Sequence, residues 1–422
     1  MFEVGLDLSS YKISAVEFYK NRSEIMLKNA GIIDIEPHAI AGGELVDSIV
    51  LINGLKELWK NFNFQKKEVN LGLSGIKLIV KEIEIPVTEE KDIEKAIKYQ
   101  ISDYIPISKD NLTFDFYVIE KKATSSKVMI IGAKKHMVDN FVEAVQAAGL
   151  KINSVDLNCF AFYRAVNFLY NFKNLSPQET RGSFCLVYFG EEVSIIEFTD
   201  ASEVRYPRFI NSSLTSFAET LNKKFNLPDA ELIRKIREFD FGTFLYKEIK
   251  KKKIEKKVSG TENTFLSENN INTETKNGTE SDEELKKIIE EKINISLNQF
   301  RSEDKDSDEK FDNVEDEILT DVSDSLKVSA NQLVNEIIRS NDHFLQENRN
   351  FKIKKILISG ENLINLDRYI EKNVKIPVER IDISKTIDVD ALKKTSLFKP
   401  EGMNDFSGRL IISAGLALRG IK

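Results

Sequence analysis

Apolar positions near the start of the chain change period in a definite order. Phe2 to Leu8 is a nearly continuous apolar run, Ile13 to Tyr19 alternates roughly, and Ile25 to Ile33 is a weaker third run. The pattern predicts three strands, the first two joined as a hairpin through "SSYK". Ile49, Ile52, Leu55 and Leu58 then recur three apart and predict an amphipathic helix. "VNLGLSG" (Val69 to Gly75) returns to strand, and "KLIVKEIEIP" alternates up to Pro86. An acidic stretch, "TEEKDIEK", opens a helix with Ile93, Ile97, Ile101 and Tyr104 on one face, and Pro106 forbids its continuation. "LTFDFYVIE" and "KVMIIGA" read as strands, His136 to Ala148 as a helix stopped by Gly149, and "KINSVDLNCFAFYRAVNFLY" as a strand running into a helix.

The pattern then begins again. "LVYFGEEVSIIEF", within Ser183 to Phe198, repeats the strand, polar turn and strand of "GLDLSSYKISAVEF", and both end on Glu-Phe. A repeat followed by similar elements suggests a duplicated β-rich α/β unit. Helices are expected at Leu214 to Phe225, Pro228 to Phe239 and Leu326 to Leu345, the last striped by Leu326, Ala330, Leu333, Val334 and Ile337. A strand "KKILISG" and a closing helix "GRLIISAGLALRGI" complete the series. Between Lys247 and Asp321 the chain is basic, then acidic, with little apolar surface, and is expected to be a disordered insertion.

Composition narrows the function classes. The 422 residues allow roughly two to three domains. A net charge of -7 gives no global electrostatic case for nucleic acid. Cys159 and Cys185 lie in apolar stretches and read as buried thiols in a reducing compartment. The start lacks a signal-peptide pattern and no run reaches the ~18 apolar residues of a span. The expectation is a cytoplasmic protein that meets membrane only through partners. His38, His136 and His343 are scattered, with no motif for zinc or a Ser–His triad.

The whole pattern resembles the actin-like fold, and within it the PilM family of type IV pilus assembly proteins, relatives of FtsA. "GLDLSSYKISAVEF" looks like the family's first phosphate hairpin. "KAIKYQISDYIPISKDNLTFDFYVIEK" and "VMIIGAKKHMVDNFVEAVQAAGLKINSVDLNCFAFYRA" resemble its following elements, and "ISAGLALRG" its closing signature. The resemblance implies a duplicated RNase H-like α/β fold. A first domain would span 1–178 with an inserted small subdomain at about 81–150. A second would span 179–385, interrupted at about 247–321, and a C-terminal segment, 386–422, would pack its helix back on the first. It also implies a cytoplasmic scaffold, peripheral to the inner membrane, of a pilus or secretion machine. That scaffold would bind the N-terminal cytoplasmic peptide of a PilN-like inner-membrane protein in a groove beside the small subdomain. The assembly motor ATPase and a homo-oligomeric ring are further partners the family suggests. A filament-forming ATPase of the FtsA or MreB kind, or a small-molecule kinase of the same superfold, is the alternative.

In such a fold a cleft between the hairpins holds ATP or ADP with magnesium. The resemblance places Asp7 in the metal's outer shell and Ser9, Ser10, Tyr11 and Lys12 in the first phosphate turn. Gly190 and Glu191 fall in the second, Asn211 and Ser212 in the next phosphate turn, and Glu231 and Arg234 at the nucleoside end. Gly360, Glu361 and Asn362 form the last turn. Several of these depart from the family pattern. Tyr188 stands where an aspartate is expected, Asn211 and Ser212 replace glycines, and Glu361 replaces a second glycine. A phenol cannot serve as a magnesium carboxylate, and an anion beside phosphate is unfavourable unless a cation intervenes. Nucleotide binding is left open by these residues, and none of them is assigned a catalytic role.

Overall fold

The computed structural model describes residues 2–22, 24–37, 39–170, 183–199, 203–225, 229–245, 312–381 and 403–421. The expected insertion lies largely outside them, as do the expected boundaries at 178–179 and 385–386. By packing, the chain divides into two compact units. One comprises Met1–Ser216, Asn335–Asn362 and Ile376–Lys422, the other Phe217–Val334 and Leu363–Lys375.

The first unit holds two five-stranded sheets of the same design. In one, β1 (Phe2–Leu8), β2 (Lys12–Asn21) and β3 (Glu24–Asp34) form an antiparallel meander. On the other side of β1 run β6 (Glu68–Leu73) and β10 (Lys151–Leu157), both parallel, giving the order β10-β6-β1-β2-β3. In the other, β11 (Ser183–Phe189), β12 (Ser194–Thr199) and β13 (Val204–Ile210) repeat the meander. β14 (Ile353–Gly360) and β15 (Val378–Arg380) repeat the parallel pair, in the order β13-β12-β11-β14-β15. The repeat suspected from two hairpins therefore extends to every strand of both sheets.

Local chemistry explains the helices. Helix α1 (Ser48–Phe62) is capped by Asp47, whose side chain accepts the Ile49 and Val50 N–H groups at 2.9 and 3.1 Å. Leu51, Leu55 and Leu58 on its inner face are fully buried, each worth about 1.5–3 kcal/mol. Ile49, counted in the sequence stripe, instead stands 69% exposed at the first turn. Helix α3 (Lys135–Ala147) ends where Gly149 takes φ +87°, as its sequence required. Helix α4 (Asn158–Tyr170) buries Cys159, Ala161, Phe162 and Val166 against the same core. Both cysteines are buried free thiols.

A smaller sheet, ordered β7-β9-β8, is built from β7 (Ile79–Ile85), β8 (Leu112–Lys121) and β9 (Ser126–Lys134). Helix α2 (Glu90–Tyr104) covers it, burying Ile93, Ile97 and Ile101 against Ile83, Ile85, Val128 and Ile130. The apolar stripe of α2 is thus consumed inside the small subdomain, while Tyr99 points outward at 83% exposure. The closing helix, Met403–Leu418, crosses β1 at close range. A Cβ on Gly5 would lie 2.0 Å from the Ser413 carbonyl oxygen, so only glycine fits.

The second unit has its own aromatic core. Phe239, Phe241 and Phe244 contact one another at ring distances of 5.1 to 5.9 Å, and Phe244 meets Tyr369 at 5.4 Å. Residues 217–225 of α5 (Leu214–Phe225), helix α6 (Asp229–Glu238) and the helix Leu366–Val374 add further apolar side chains. The long helix expected from Leu326 begins at Asp312, so residues 312–321, assigned to the insertion by composition, are helical.

Candidate functional site

The turns of the two matching hairpins face each other across a cleft in the first unit. Their registers correspond, Asp7 opposite Ser14 and Tyr188 opposite Ile195. The first turn is closed by the Ser9 N–H donating to the Lys12 carbonyl at 2.9 Å. The second is held by the Gly190 N–H donating to Ser194 Oγ at 3.0 Å, and that hydroxyl donates to the Ser212 carbonyl at 2.6 Å. Side chains then join the turns. Ser9 Oγ donates to Glu191, and Ser10 Oγ to Glu192, which also accepts the Gly42 N–H.

Lys12 lies at the centre, 1% exposed. Its Nζ is 3.4 Å from Glu191 Oε1 and 3.3 Å from Glu361 Oε1. Arg409, from the closing helix, faces the same two carboxylates at 3.7 and 3.6 Å and holds Asp34 at 2.7 Å. Glu191 and Glu361 are themselves 3% and 1% exposed. Glu361 is placed by a tight turn in which Gly360 adopts φ +99° and the Glu361 N–H donates to the Phe189 carbonyl at 2.7 Å. A Cβ on Gly360 would sit 2.2 Å from the Phe189 carbonyl oxygen, which explains why this one glycine of the expected pair remains.

Burial dominates the electrostatics. It raises the Asp7 carboxyl to about 6, against the opposing pull of Lys12 and of Asn158, whose Nδ2 donates to Asp7 at 2.8 Å. Burial would lower the Lys12 ammonium, but Glu191 and, with a smaller share, Glu361 reverse this and hold it above its ordinary value. Burial also pushes the Tyr188 phenol up, so it is a neutral group there.

What remains of the cleft is a cavity of about 40 Å³, bordered by Asp7, Ser9, Ser10, Lys12, Asn158 and Glu191. That is room for a water molecule or so, not for a phosphate chain. The two cations are already matched, Lys12 by Glu191 and Glu361 and Arg409 by these and Asp34. Among the described residues no group of three or more His, Cys, Asp or Glu could hold a metal ion. The residues present therefore do not fit a nucleotide–magnesium group as they stand.

The other expected site residues are dispersed. Tyr11 is half-buried, and its carbonyl accepts the Ile35 N–H at 2.9 Å. Asn211 is exposed, Ser212 takes part through its carbonyl, and Asn362 is half-buried; none of the three borders the cavity. Glu231 and Arg234 lie on α6 in the second unit, where Glu231 is 3.8 Å from Lys235 and Arg234 is exposed. Arg409, Glu192 and Asn158 were not anticipated. Arg409 had a signal, being the one charge in "GRLIISAGLAL".

A second concavity in the same unit is open and aromatic, with a volume of about 630 Å³. One wall is the edge strand β8, contributing Thr113 to Tyr117. The other is α4, contributing Phe160, Tyr163 and Arg164, with Val138 and Val155 below. Tyr117 meets Phe160 edge-on at 5.7 Å. At one end Asp156 is paired with Arg164 and, at 2.8 Å, with Arg419.

The family model described as type IV pilus assembly protein PilM matches residues 5–244, more than half of the chain. Among solved structures, one described as a PilM-PilN type IV pilus biogenesis complex aligns over 100% of this chain and 98% of that one, with TM-score 0.68 and 17% identity. The ethanolamine utilization protein EutJ from Carboxydothermus hydrogenoformans aligns over 99% and 89%, with TM-score 0.45 and 10% identity. No significant match is found among curated protein sequences. The fold is actin-like, a duplicated mixed α/β architecture, as the hairpin repeat implied.

Proposed function

Because the chain belongs to the family of the type IV pilus assembly protein PilM, we propose that it is a scaffold whose working surface is the aromatic groove between β8 and α4. The occupant would be the N-terminal cytoplasmic peptide of a PilN-like inner-membrane protein, the kind of complex named for the structure that aligns over nearly the full length of both chains. The carrying observation is the groove itself. It is large enough for an extended segment, walled by Tyr117, Phe160 and Tyr163, and flanked by a sheet edge. An edge strand offers backbone partners to an added strand, and aromatic pockets then select alternate side chains.

Among the described residues no helix is long and apolar enough to cross a membrane. In this reading the partner's membrane span would hold the chain at the cytoplasmic face, as a peripheral part of a pilus or related secretion machine. The hairpin cleft is a degenerate nucleotide site that the scaffold does not need. A filament ATPase or a kinase would require phosphate to reach Lys12, which Glu191 and Glu361 already hold, so both alternatives are disfavoured.

The test is site-specific photo-crosslinking. With benzoylphenylalanine in place of Tyr117, the full chain is expected to capture the partner's N-terminal peptide. A probe in place of Tyr99, exposed on the outer face of α2, is expected not to. Equal capture at both positions, or at neither, would refute the groove assignment.

A further inference from the structure

The closed cleft has a positive content of its own. In a phosphate-binding cleft, buried cations and turn amides face outward to an anionic ligand. Here the anions are supplied from within. Glu191 comes from the second hairpin turn, Glu361 from the turn after β14, Lys12 from the first hairpin and Arg409 from the closing helix. Lys12 pairs with both glutamates, and Arg409 with both glutamates and Asp34, so each cation is matched from within the chain. Glu191 borders the cavity of about 40 Å³ between the hairpin turns, and Glu361, outside its lining, holds the same Lys12 at 3.3 Å.

We propose that Glu191 and Glu361 act as built-in phosphate substitutes, forming with Lys12 and Arg409 an internal latch that excludes nucleotide. The latch ties four separate segments of the first unit together without a ligand. It keeps the two hairpins in the joined arrangement that, in an open cleft, would depend on a bound anion. Ser9 and Ser10 reinforce it by donating to Glu191 and Glu192 across the same gap. A nucleotide entering this space would bring phosphate charge against two buried carboxylates whose cations are already committed. The proposal rests on the scaffold reading for its purpose, in that the unit would be ready for its partner whatever the nucleotide supply. Its test does not involve the groove.

The experiment uses the full chain, titrated calorimetrically with ATP, with and without magnesium, and with inorganic pyrophosphate. The wild-type protein is expected to show no binding tighter than about 1 mM and no thermal shift. The Glu191→Ala, Glu361→Ala double variant takes both glutamates from Lys12, leaves Arg409 with Asp34 alone, and opens the space. Pyrophosphate and ATP are expected to raise its melting temperature. Adding Lys12→Met to the double variant is expected to abolish that rise. Should the double variant fail to fold, the single Glu361→Ala variant takes its place with a smaller rise expected. Wild-type binding of ATP tighter than about 100 μM would overturn the proposal, whatever the variants do. So would variants that fold but gain nothing from either anion. Peptide capture at Tyr117 is read separately, so a failed latch and a failed groove give different results.

Discussion

The hairpin cleft and the aromatic groove lie in the same unit of the chain and are opposites in chemistry. The cleft is bordered by ionisable side chains, Asp7, Lys12 and Glu191 among them, that are engaged with one another around a cavity of about 40 Å³. The groove has about 630 Å³, aromatic walls and an edge strand on its border. The cleft lies between two matching hairpin turns, and its charged groups are engaged in internal pairing. The groove is formed where a small inserted sheet meets the main core, and its side chains are not fully used by packing. Architecture and available chemistry separate here: in the proposed reading the cleft between the hairpins is structural, and the groove beside the small sheet is the working surface.

The most disruptive way to probe the difference is to break the latch on one side only. Lys12→Met leaves Glu191 and Glu361 buried with one cation between them. An unmatched buried charge costs about 3–5 kcal/mol, so the urea midpoint should fall strongly. A change under about 1 kcal/mol would mean that the network relaxes into water and is not a latch. The groove should respond in the opposite sense. Tyr163→Asp puts a charge among its aromatic walls and should weaken peptide binding by at least about 10–100-fold, while melting shifts much less than in Lys12→Met. Loss of stability without loss of binding would show that Tyr163 packs and does not recognise.

Glu197 sharpens the comparison through pH. It is buried in β12 with neither carboxylate oxygen hydrogen-bonded, and burial raises its carboxyl well above the usual value despite the opposing Arg164. The folded state then holds a proton that the unfolded chain releases above the ordinary value of 4.5. Stability is thus lost as pH rises through that value, by at most about 1.4 kcal/mol per pH unit. Glu197→Gln should be more stable than wild type at pH 7, with the gap shrinking toward pH 4. A gap independent of pH would show that Glu197 is ionised in the fold. The smallest effect is expected far from both concavities. Glu94 and Lys98 form an exposed pair on α2, and Lys98→Ala should change stability by less than about 0.5 kcal/mol.

Much of this architecture was legible in the chain because its signals are local. The β1–β2 and β11–β12 hairpins announce themselves by matching runs, and α2 and α3 by stripes ending at Pro106 and Gly149. β13 was missed because Arg205, Pro207 and Arg208 interrupt its alternation, and proline is tolerated there because β13 is an edge strand. The start of the long helix was missed because its first turns are acidic, and composition assigned them to the insertion. The cleft was legible only in part. Asp7, Lys12, Glu191 and Glu361 were singled out as residues near a ligand, whereas the structure pairs Lys12 with both glutamates. Pairing across such separations leaves no periodic trace, and the closing cation, Arg409, is a lone charge in an otherwise apolar run, with nothing to say what it meets. The groove left no motif at all, since its walls come from separate elements that each look like ordinary core.

In the proposed reading the chain works through the groove, independently of nucleotide. The decisive measurement is calorimetric titration of the full chain with the N-terminal cytoplasmic peptide of its PilN-like partner, without nucleotide and again with ATP and magnesium. Saturable binding of equal affinity in both, lost in Tyr163→Asp, is the predicted result. Binding that appears only with ATP, or that is unchanged in Tyr163→Asp, would contradict it.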